Sequence, residues 1–225
     1  MIPALPQYEV YAIRYATRDG RRRDPACNFA QTPCQAAVRV SGRLRADLDD
    51  VRAVLVRLPA AAIHYPGCDS VGPFQRALQA KMSIPFGVAV ALRRRTIAEA
   101  NYHDLGDAGI LRLISLTRLE EDEALTQRFP AAQGPEVPVS LADGSLVMER
   151  LDDVVAATSA EIRARFRAAA ASMPGPRRAA EIDACVDGLE DDTDAGRVAA
   201  LCATSSGGAA VRPRRAQSQT GRRAP

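Results

Sequence analysis

The chain has 225 residues, of which 47 % are hydrophobic and 25 % are charged, a composition that supports a folded domain with a sizeable core. It contains no run of about eighteen apolar residues, so we expect no membrane as a partner, and the first residues lack the pattern of a secretory signal. The five cysteines are scattered and odd in number, which predicts reduced thiols in a cytoplasmic protein rather than a disulfide framework.

The net charge of +3 is unevenly distributed along the chain. The tail at 203–225 carries five arginines and no acidic residue, and residues 1–23 carry a net charge of +3. The middle of the chain, 24–202, therefore carries a net charge of −5. An acidic core argues against nucleic acid as a partner of that core. The tail is rich in Ser, Gly, Pro and Arg, so we predict that it is disordered.

Several segments predict secondary structure in the first half of the acidic region. The segment Thr32–Gln35 predicts a helix start, with Thr32 as N-cap and Gln35 reaching back to it, and the helix continues to about Arg45. Asp50–Leu58 is β-branched and apolar, as in a covered strand, and Tyr65–Asp69 is typical of a turn. Further apolar residues predict one helix with Phe74, Ala77 and Leu78 on a shared face, and another that begins at Ser83.

The second half mixes helices with strands. Ile110–Ile114 predicts a short helix that runs into a strand near Leu116–Glu120. Alternating apolar residues on both sides of Asp143-Gly144 predict a hairpin with a type I′ turn. A capping box at Thr158 and Glu161 precedes a predicted buried stripe of Ile162, Phe166 and Ala169, and a last helix is predicted around Ile182, Val186 and Leu189. Because regular βαβ alternation is missing, we predict an α+β fold with a mostly antiparallel sheet and packed helices.

From Asp24 to Leu189 the sequence resembles the carboxy-terminal part of the MmgE/PrpD family. The blocks that carry the resemblance follow in the family's order: PACNFAQTPCQ (25–35), YPGCDSVGPF (65–74), LQAKMSIPFGVAVAL (78–92), LEEDEALTQRFP (119–130), the hairpin and AEIRARF (160–166). The family includes 2-methylcitrate dehydratase, cis-aconitate decarboxylase and iminodisuccinate epimerase. The resemblance implies a small lid-type domain of a lyase or isomerase that uses no cofactor or metal.

Chemistry of this class removes or supplies a proton beside a carboxylate of a di- or tricarboxylic acid, and it needs cations and N–H donors to hold the carboxylates. The resemblance places the catalytic histidines in a preceding helical domain, so no catalytic residue is assigned in this chain, and we expect little turnover from it alone. Full-length relatives are commonly dimers, so a homodimer is a further expectation. The alternative is a non-enzymatic remnant domain that binds a partner protein.

Residues 1–23 do not share the resemblance, which suggests a junction of two coding fragments near Arg22–Asp24. Tyr8–Arg18 instead resembles the first strand of metallo-β-lactamase-fold lactonases. With only His64 and His103 in the chain, the two-zinc site of that fold cannot be built. We therefore divide the chain into a foreign or poorly ordered segment (1–23), the α+β domain (24–202) and the tail (203–225).

Four residues are candidates for substrate binding. Lys81 is the only lysine among 30 basic residues, and its compact charge suits a carboxylate, with a surface lysine at a helix end as the alternative. Asn28 and Gln31 lie in the segment where the resemblance implies active-site groups, although helix capping explains them equally well. Ser83 lies in the same block as Lys81, and its role as an N-cap is a sufficient structural explanation.

Other candidates are better explained by structure. Cys68 is expected to be a buried structural thiol, because no histidine is placed to activate it. His103 beside Asp104 has the appearance of a base with its orienting carboxylate, but adjacent residues of this kind often occur by chance. The acidic run Glu120–Glu123 is typical of a solvated face rather than of a metal site.

Overall fold

The computed structural model describes residues 24–170, 175–194 and 196–203, and the predictions for the N-terminal segment and for 204–225 lie outside them. The chain divides into two compact units, residues 1–162 and 163–225. The described residues form nine α-helices and one sheet of four strands, which confirms the α+β class. In these parts of the chain, every helix falls short of the length and apolar character that a membrane span requires.

The first unit contains most of the regular structure. Its elements in chain order are α1 (Gln31–Arg43), β1 (Val51–Leu58), α2 (Ala60–Ile63), α3 (Ala77–Met82), α4 (Ile84–Arg94), α5 (Ala108–Leu116), β2 (Thr117–Glu121), α6 (Glu123–Arg128), β3 (Glu136–Leu141) and β4 (Leu146–Arg150). Short 3₁₀ helices lie at Asn28–Ala30, Leu48–Asp50 and Glu99–Tyr102. Helix α7 (Ser159–Ala170) begins in the first unit, and α8 (Pro176–Asp187) and α9 (Gly196–Cys202) lie in the second.

The sheet has the strand order β2-β1-β3-β4. Strand β1 is parallel to β2 and antiparallel to β3, so that Val54 pairs with both Thr117 and Val139. Strands β3 and β4 form the predicted antiparallel hairpin. Two of the three strand pairings are thus antiparallel, as the sequence predicts.

One face of the sheet and the helices over it form the core. Helix α1 packs on β3 and β4, α5 packs on β1, and α4 lies against both α1 and α5. Residues 84–92 of α4 are all buried, as expected of a helix that is apolar on every side. Helices α1 and α4 approach closely at Gly87, where a Cβ atom would lie 2.5 Å from the Cys34 sulfur.

The predicted cap of α1 is wrong. The 3₁₀ helix Asn28–Ala30 runs directly into α1, so Ala30 is the N-cap and Thr32 lies inside the first turn. Thr32 is buried, and its hydroxyl has no hydrogen-bond partner among the described residues. The Gln35 amide donates to the Asp24 carboxylate and to the Val155 carbonyl, both at 3.1 Å, so it ties two loops to the helix.

Three further predictions on helices have different outcomes. Ser83 is the N-cap of α4 as predicted, and its hydroxyl accepts a hydrogen bond from the Phe86 N–H at 3.0 Å. The shared apolar face of Phe74, Ala77 and Leu78 is wrong, because α3 begins only at Ala77 and Leu78 is 70 % exposed. The predicted helix at 110–114 and the strand after it are confirmed as α5 and β2.

The turn between β3 and β4 differs in type from the prediction. A type I′ turn needs positive φ at both central residues. Here Gly144 has a φ of +83° and Asp143 has none in that range. The Gly144 N–H donates to the Leu141 carbonyl, and the Leu141 N–H donates to the Ser145 carbonyl. This is a type I turn followed by a glycine bulge.

The capping box of α7 is confirmed, since the Glu161 carboxylate accepts from the Thr158 N–H at 2.7 Å and the Glu161 N–H donates to the Thr158 hydroxyl at 3.2 Å. The buried stripe predicted after it is wrong, because Ile162 and Phe166 are only half-buried and Ala169 is exposed. The helix around Ile182 is confirmed as α8, but it is not the last, because α9 follows it.

Candidate functional site

The Gln31 side chain is committed to the backbone of the loop before α1. It is fully buried, and its amide nitrogen donates to the carbonyl oxygens of Asp24 at 2.7 Å and Ala26 at 2.9 Å. Its amide oxygen accepts from the Asp24 N–H at 3.1 Å. These bonds satisfy both ends of the amide, so Gln31 shapes the loop that leads to Asn28.

Asn28 is half-buried and faces Gln133, which is almost fully buried. The Asn28 amide nitrogen donates to the Gln133 amide oxygen at 3.4 Å, and the Gln133 amide nitrogen donates to the Asn28 carbonyl at 3.3 Å. The bond that the Asn28 side chain makes is long, so this side chain is only loosely held. Of the residues before α1, Asn28 is therefore the one whose amide is best able to turn to a ligand.

Lys81 lies in the last turn of α3, and its ammonium group has two neighbours. It forms an ion pair with the Glu99 carboxylate and lies 5.4 Å from the centre of the Tyr102 ring. The Lys81 side chain is 26 % exposed and the Glu99 side chain is 64 % exposed, so this ion pair is open to solvent on the glutamate side. The Lys81 charge is thus accessible to a carboxylate and rests on an aromatic face.

Tyr102 lies beneath Lys81 as part of the core. Its ring stacks on Phe86 with centres 5.7 Å apart, and burial raises the pKa of its hydroxyl. That hydroxyl is buried and has no hydrogen-bond partner in the described parts of the chain. The phenol therefore stays protonated at neutral pH and acts here as a neutral platform.

The Ser83 hydroxyl is already bound within the protein. It donates to the Ser70 carbonyl at 2.5 Å and accepts from the Phe86 N–H. One oxygen thus caps α4 and anchors the loop before α3. Direct contact with a ligand would require at least one of these bonds to break.

One backbone hydrogen bond brings the two candidate segments together. The Cys27 N–H donates to the Lys81 carbonyl at 2.9 Å, so Asn28 follows a residue that is bonded directly to the end of α3. The structure therefore joins the segment of Asn28 and Gln31 to the segment of Lys81 and Ser83. Of these four, Lys81 and Asn28 keep polar groups that are only loosely bound or partly exposed.

Sequence reasoning did not find Glu99, Tyr102 or Gln133 as neighbours of these residues. Glu99 lies 18 positions after Lys81, and Gln133 lies 105 positions after Asn28. No local pattern marks such contacts, because tertiary folding alone brings the segments together. The isolated lysine was the one local signal that pointed to this part of the molecule.

The histidines and acidic residues set aside on sequence grounds make other contacts. His64 is exposed, and its Nε2 lies 3.6 Å from the Glu121 carboxylate. The Asp104 carboxylate accepts from the Gly106 N–H, and Glu120 accepts from Arg57. Across the described residues, no cluster of three or more His, Cys, Asp or Glu side chains could hold a metal ion.

Comparison with known proteins assigns a family to the segment that contains the candidate site. A search among curated proteins found no match to the chain. The family model of the MmgE/PrpD C-terminal domain matches residues 25–191, which include the loop before α1, the segment with Lys81 and every strand of the sheet. This chain therefore belongs to the MmgE/PrpD family and carries its C-terminal domain.

Proposed function

We propose that the chain provides the substrate-closing part of an MmgE/PrpD-type lyase or isomerase that acts beside a carboxylate of a di- or tricarboxylic acid. The observation that carries the proposal is the Lys81 ammonium, which is held on the Tyr102 ring and already binds a carboxylate, that of Glu99. A substrate carboxylate would replace Glu99, and the Asn28 amide would bind a second polar group of the substrate.

Catalysis in this proposal depends on a helical domain in addition to the described residues. Neither residue is assigned as the base: the Lys81 ammonium is already paired with the Glu99 carboxylate, and the Asn28 amide does not take up a proton. A base must nevertheless act on the carbon beside the carboxylate. We therefore propose that the described residues bind and orient the acid and that the helical domain supplies the proton chemistry.

The proposal is tested by adding the helical domain of a family dehydratase in trans to the whole chain. We expect no turnover of 2-methylcitrate by the chain alone and measurable turnover by the mixture. Lys81→Gln should raise the KM for 2-methylcitrate by at least about tenfold, because the variant loses one charge-assisted contact with the substrate carboxylate. The matched control, Glu99→Gln, frees the ammonium and should leave KM unchanged or lower it.

Two results would contradict this proposal. Turnover by the chain alone would remove the need for the helical domain, and a KM that Lys81→Gln leaves unchanged would remove Lys81 from the binding site. A homodimer and a cytoplasmic location are part of the same proposal. The location is supported by the five cysteines, which are all free thiols.

A second function, the binding of a partner protein without catalysis, is favoured by one observation. Val71 is 58 % exposed, and the exposed Leu78 lies in α3, the helix that carries Lys81. Exposed apolar side chains are typical of interaction surfaces. Under this alternative, Leu78→Glu would abolish binding of the partner protein, and the mixture of the chain with the helical domain would show no turnover.

A further inference from the structure

Two cysteines that are far apart in sequence meet beside the candidate site. The sulfur atoms of Cys27 and Cys68 lie 3.6 Å apart, which is van der Waals contact. Cys68 is fully buried and Cys27 is half-buried. The Cys27 thiol also lies 3.4 Å from the Met82 carbonyl, to which it donates, so a Cys68 S–H is free to donate to the Cys27 sulfur.

The same short segment holds the backbone of both cysteines. The Cys27 N–H donates to the Lys81 carbonyl at 2.9 Å, and the Cys68 carbonyl accepts from the Ile84 N–H at 2.9 Å. The segment at 81–84 joins α3 to α4, and α4 is buried in the core. The contact between the sulfur atoms is therefore maintained by main-chain bonds on both sides, and little chain entropy opposes a bond between them.

We propose that Cys27 and Cys68 are a site of oxidative modification, at which a peroxide or a small disulfide converts the two thiols reversibly into a disulfide. With hydrogen peroxide, the Cys27 thiol loses its proton and its sulfur attacks one peroxide oxygen. The S–O bond forms, the O–O bond breaks, and the departing hydroxide takes up the proton as water. Cys68 then loses its proton, its sulfur attacks the Cys27 sulfur, and the S–O bond breaks to release a second water. With oxidised glutathione, the Cys27 sulfur displaces one glutathione thiolate, Cys68 displaces the other from Cys27, and each departing thiolate takes up one of the released protons.

The order of these steps follows from the surroundings of the two thiols. Contact with Cys27 and burial raise the pKa of Cys68, and burial also shields it from the oxidant, so Cys68 loses its proton only in the second step. Cys27 is the more accessible sulfur and reacts first. Because each step needs a thiolate, the rate of disulfide formation should rise with pH.

Cys34 is the competing partner. Burial raises its pKa strongly, and Cys27 is among the charges that act on it. The Cys34 sulfur is confined at the contact of α1 with Gly87 of α4, however, while Cys68 already touches Cys27. The geometry therefore selects Cys68 as the sulfur that completes the disulfide.

The test oxidises the whole chain with hydrogen peroxide or oxidised glutathione and maps the products by mass spectrometry without reduction. Trypsin alone leaves Cys27 and Cys34 in one peptide, so chymotrypsin is added to cut after Phe29. We expect a peptide pair joined through Cys27 and Cys68 that dithiothreitol separates. Cys27→Ser and Cys68→Ala should each abolish it, and the double variant Cys185→Ser with Cys202→Ser, remote in sequence, should leave it unchanged.

Three results would overturn the proposal. If oxidation stopped at a sulfenic acid or a mixed disulfide on Cys27, the Cys68 sulfur would not attack the modified Cys27. A disulfide between Cys27 and Cys34 would show that Cys34, not Cys68, is the partner of Cys27. If Cys202 were oxidised while Cys27 and Cys68 remained thiols, the pair would not be reactive. Because the disulfide is mapped in the chain without substitutions, the proposal is tested even if a variant at the buried Cys68 fails to fold.

Discussion

Tyr102 is a residue whose two ends have opposite surroundings. Its ring packs on Phe86 and lies near the Lys81 ammonium, while its hydroxyl is buried without a partner in the described parts of the chain. A buried hydroxyl that lacks a hydrogen bond has lost its water without compensation. The ring therefore stabilises the fold, and the hydroxyl opposes it.

We predict that Tyr102→Phe leaves the free energy of unfolding unchanged or raises it by about 1 kcal/mol, because it removes only the unpaired group. Urea denaturation of both proteins at neutral pH measures the difference. Tyr65→Phe is the matched control, since the Tyr65 ring packs on Phe29 at 5.2 Å and its side chain is partly exposed. A loss of stability on Tyr102→Phe alone would mean that the hydroxyl has a bonding partner in the folded protein.

At the scale of elements, Asp107 joins the end of α4 to the start of α5. Its carboxylate accepts from the N–H groups of Gly109 at 2.9 Å and Ile110 at 3.1 Å, and it forms an ion pair with Arg94 at 2.6 Å. Burial raises the pKa of Asp107, but the two backbone bonds and the nearby arginines outweigh it, so the pKa is lowered. The single carboxylate thus caps one helix and neutralises cations in the last turn of another.

We predict that Asp107→Ala lowers the free energy of unfolding by about 1–2 kcal/mol and that Asp107→Asn, which keeps a capping oxygen, lowers it by less. A lowered pKa stabilises the fold fully above the unfolded-state value of about 3.9, and this contribution is lost as pH falls through the folded value. Denaturation at pH 7 and near pH 3 should therefore show a smaller loss for Asp107→Ala at the lower pH.

The control for this junction is Asp152→Ala. Asp152 also pairs with an arginine, Arg128 at 3.3 Å, but its side chain is 89 % exposed. An exposed pair of this kind contributes about 0–1 kcal/mol, so the variant should differ little from the parent at either pH. Equal losses for the two alanine variants would refute the role of Asp107 as a cap.

The elements that the sequence predicts well are those whose causes are local. Ser83 caps α4 because an isoleucine, a proline and an apolar run follow the serine, and β1 follows from its β-branched residues. Thr32 fails as a cap because a preceding 3₁₀ helix moves the start of α1, and that turn is tied down by the distant Gln133. In the candidate site, Lys81 is a candidate because of its rarity in the sequence, whereas no local pattern marks its neighbour Glu99, because folding alone brings the two together.

At the scale of the whole molecule, the two units are stabilised differently. The first contains the sheet and its apolar core. In the described part of the second, the buried apolar side chains are Ala170, Ala179, Ile182 and Cys185. Helices α7 and α8 are also joined there by ion pairs: Asp183 binds Arg163 and Arg167, each at 2.6 Å, and Asp187 binds Arg163. Ion pairs therefore contribute a larger share of the folding stability in the second unit than in the first.

We predict that amide hydrogen exchange in α8 becomes several-fold faster in about 1 M salt, where charges are screened beyond about 3 Å, while exchange in β1 stays the same. Mass spectrometry of peptides from each element measures both in one experiment. Asp183→Asn should reproduce the effect in α8 at low salt, and Glu190→Gln, an exposed acid just after α8, should not. If the amide exchange rate in α8 did not change with salt, apolar packing alone would be enough to stabilise that helix.

The strand order described above also governs when the sheet can form during synthesis. Strand β1 is made early, but its partners β2 and β3 are made much later, since Val54 pairs with Thr117 and Val139. Until residue 121 has left the ribosome, both edges of this β-branched strand lack their native neighbours, and the edge that pairs with β3 stays open until residue 141 has emerged. Pairings so distant in sequence form slowly, and unpaired edges are prone to associate with other chains. In the cell, yield of this protein should therefore depend on chaperones that bind nascent chains before β3 emerges.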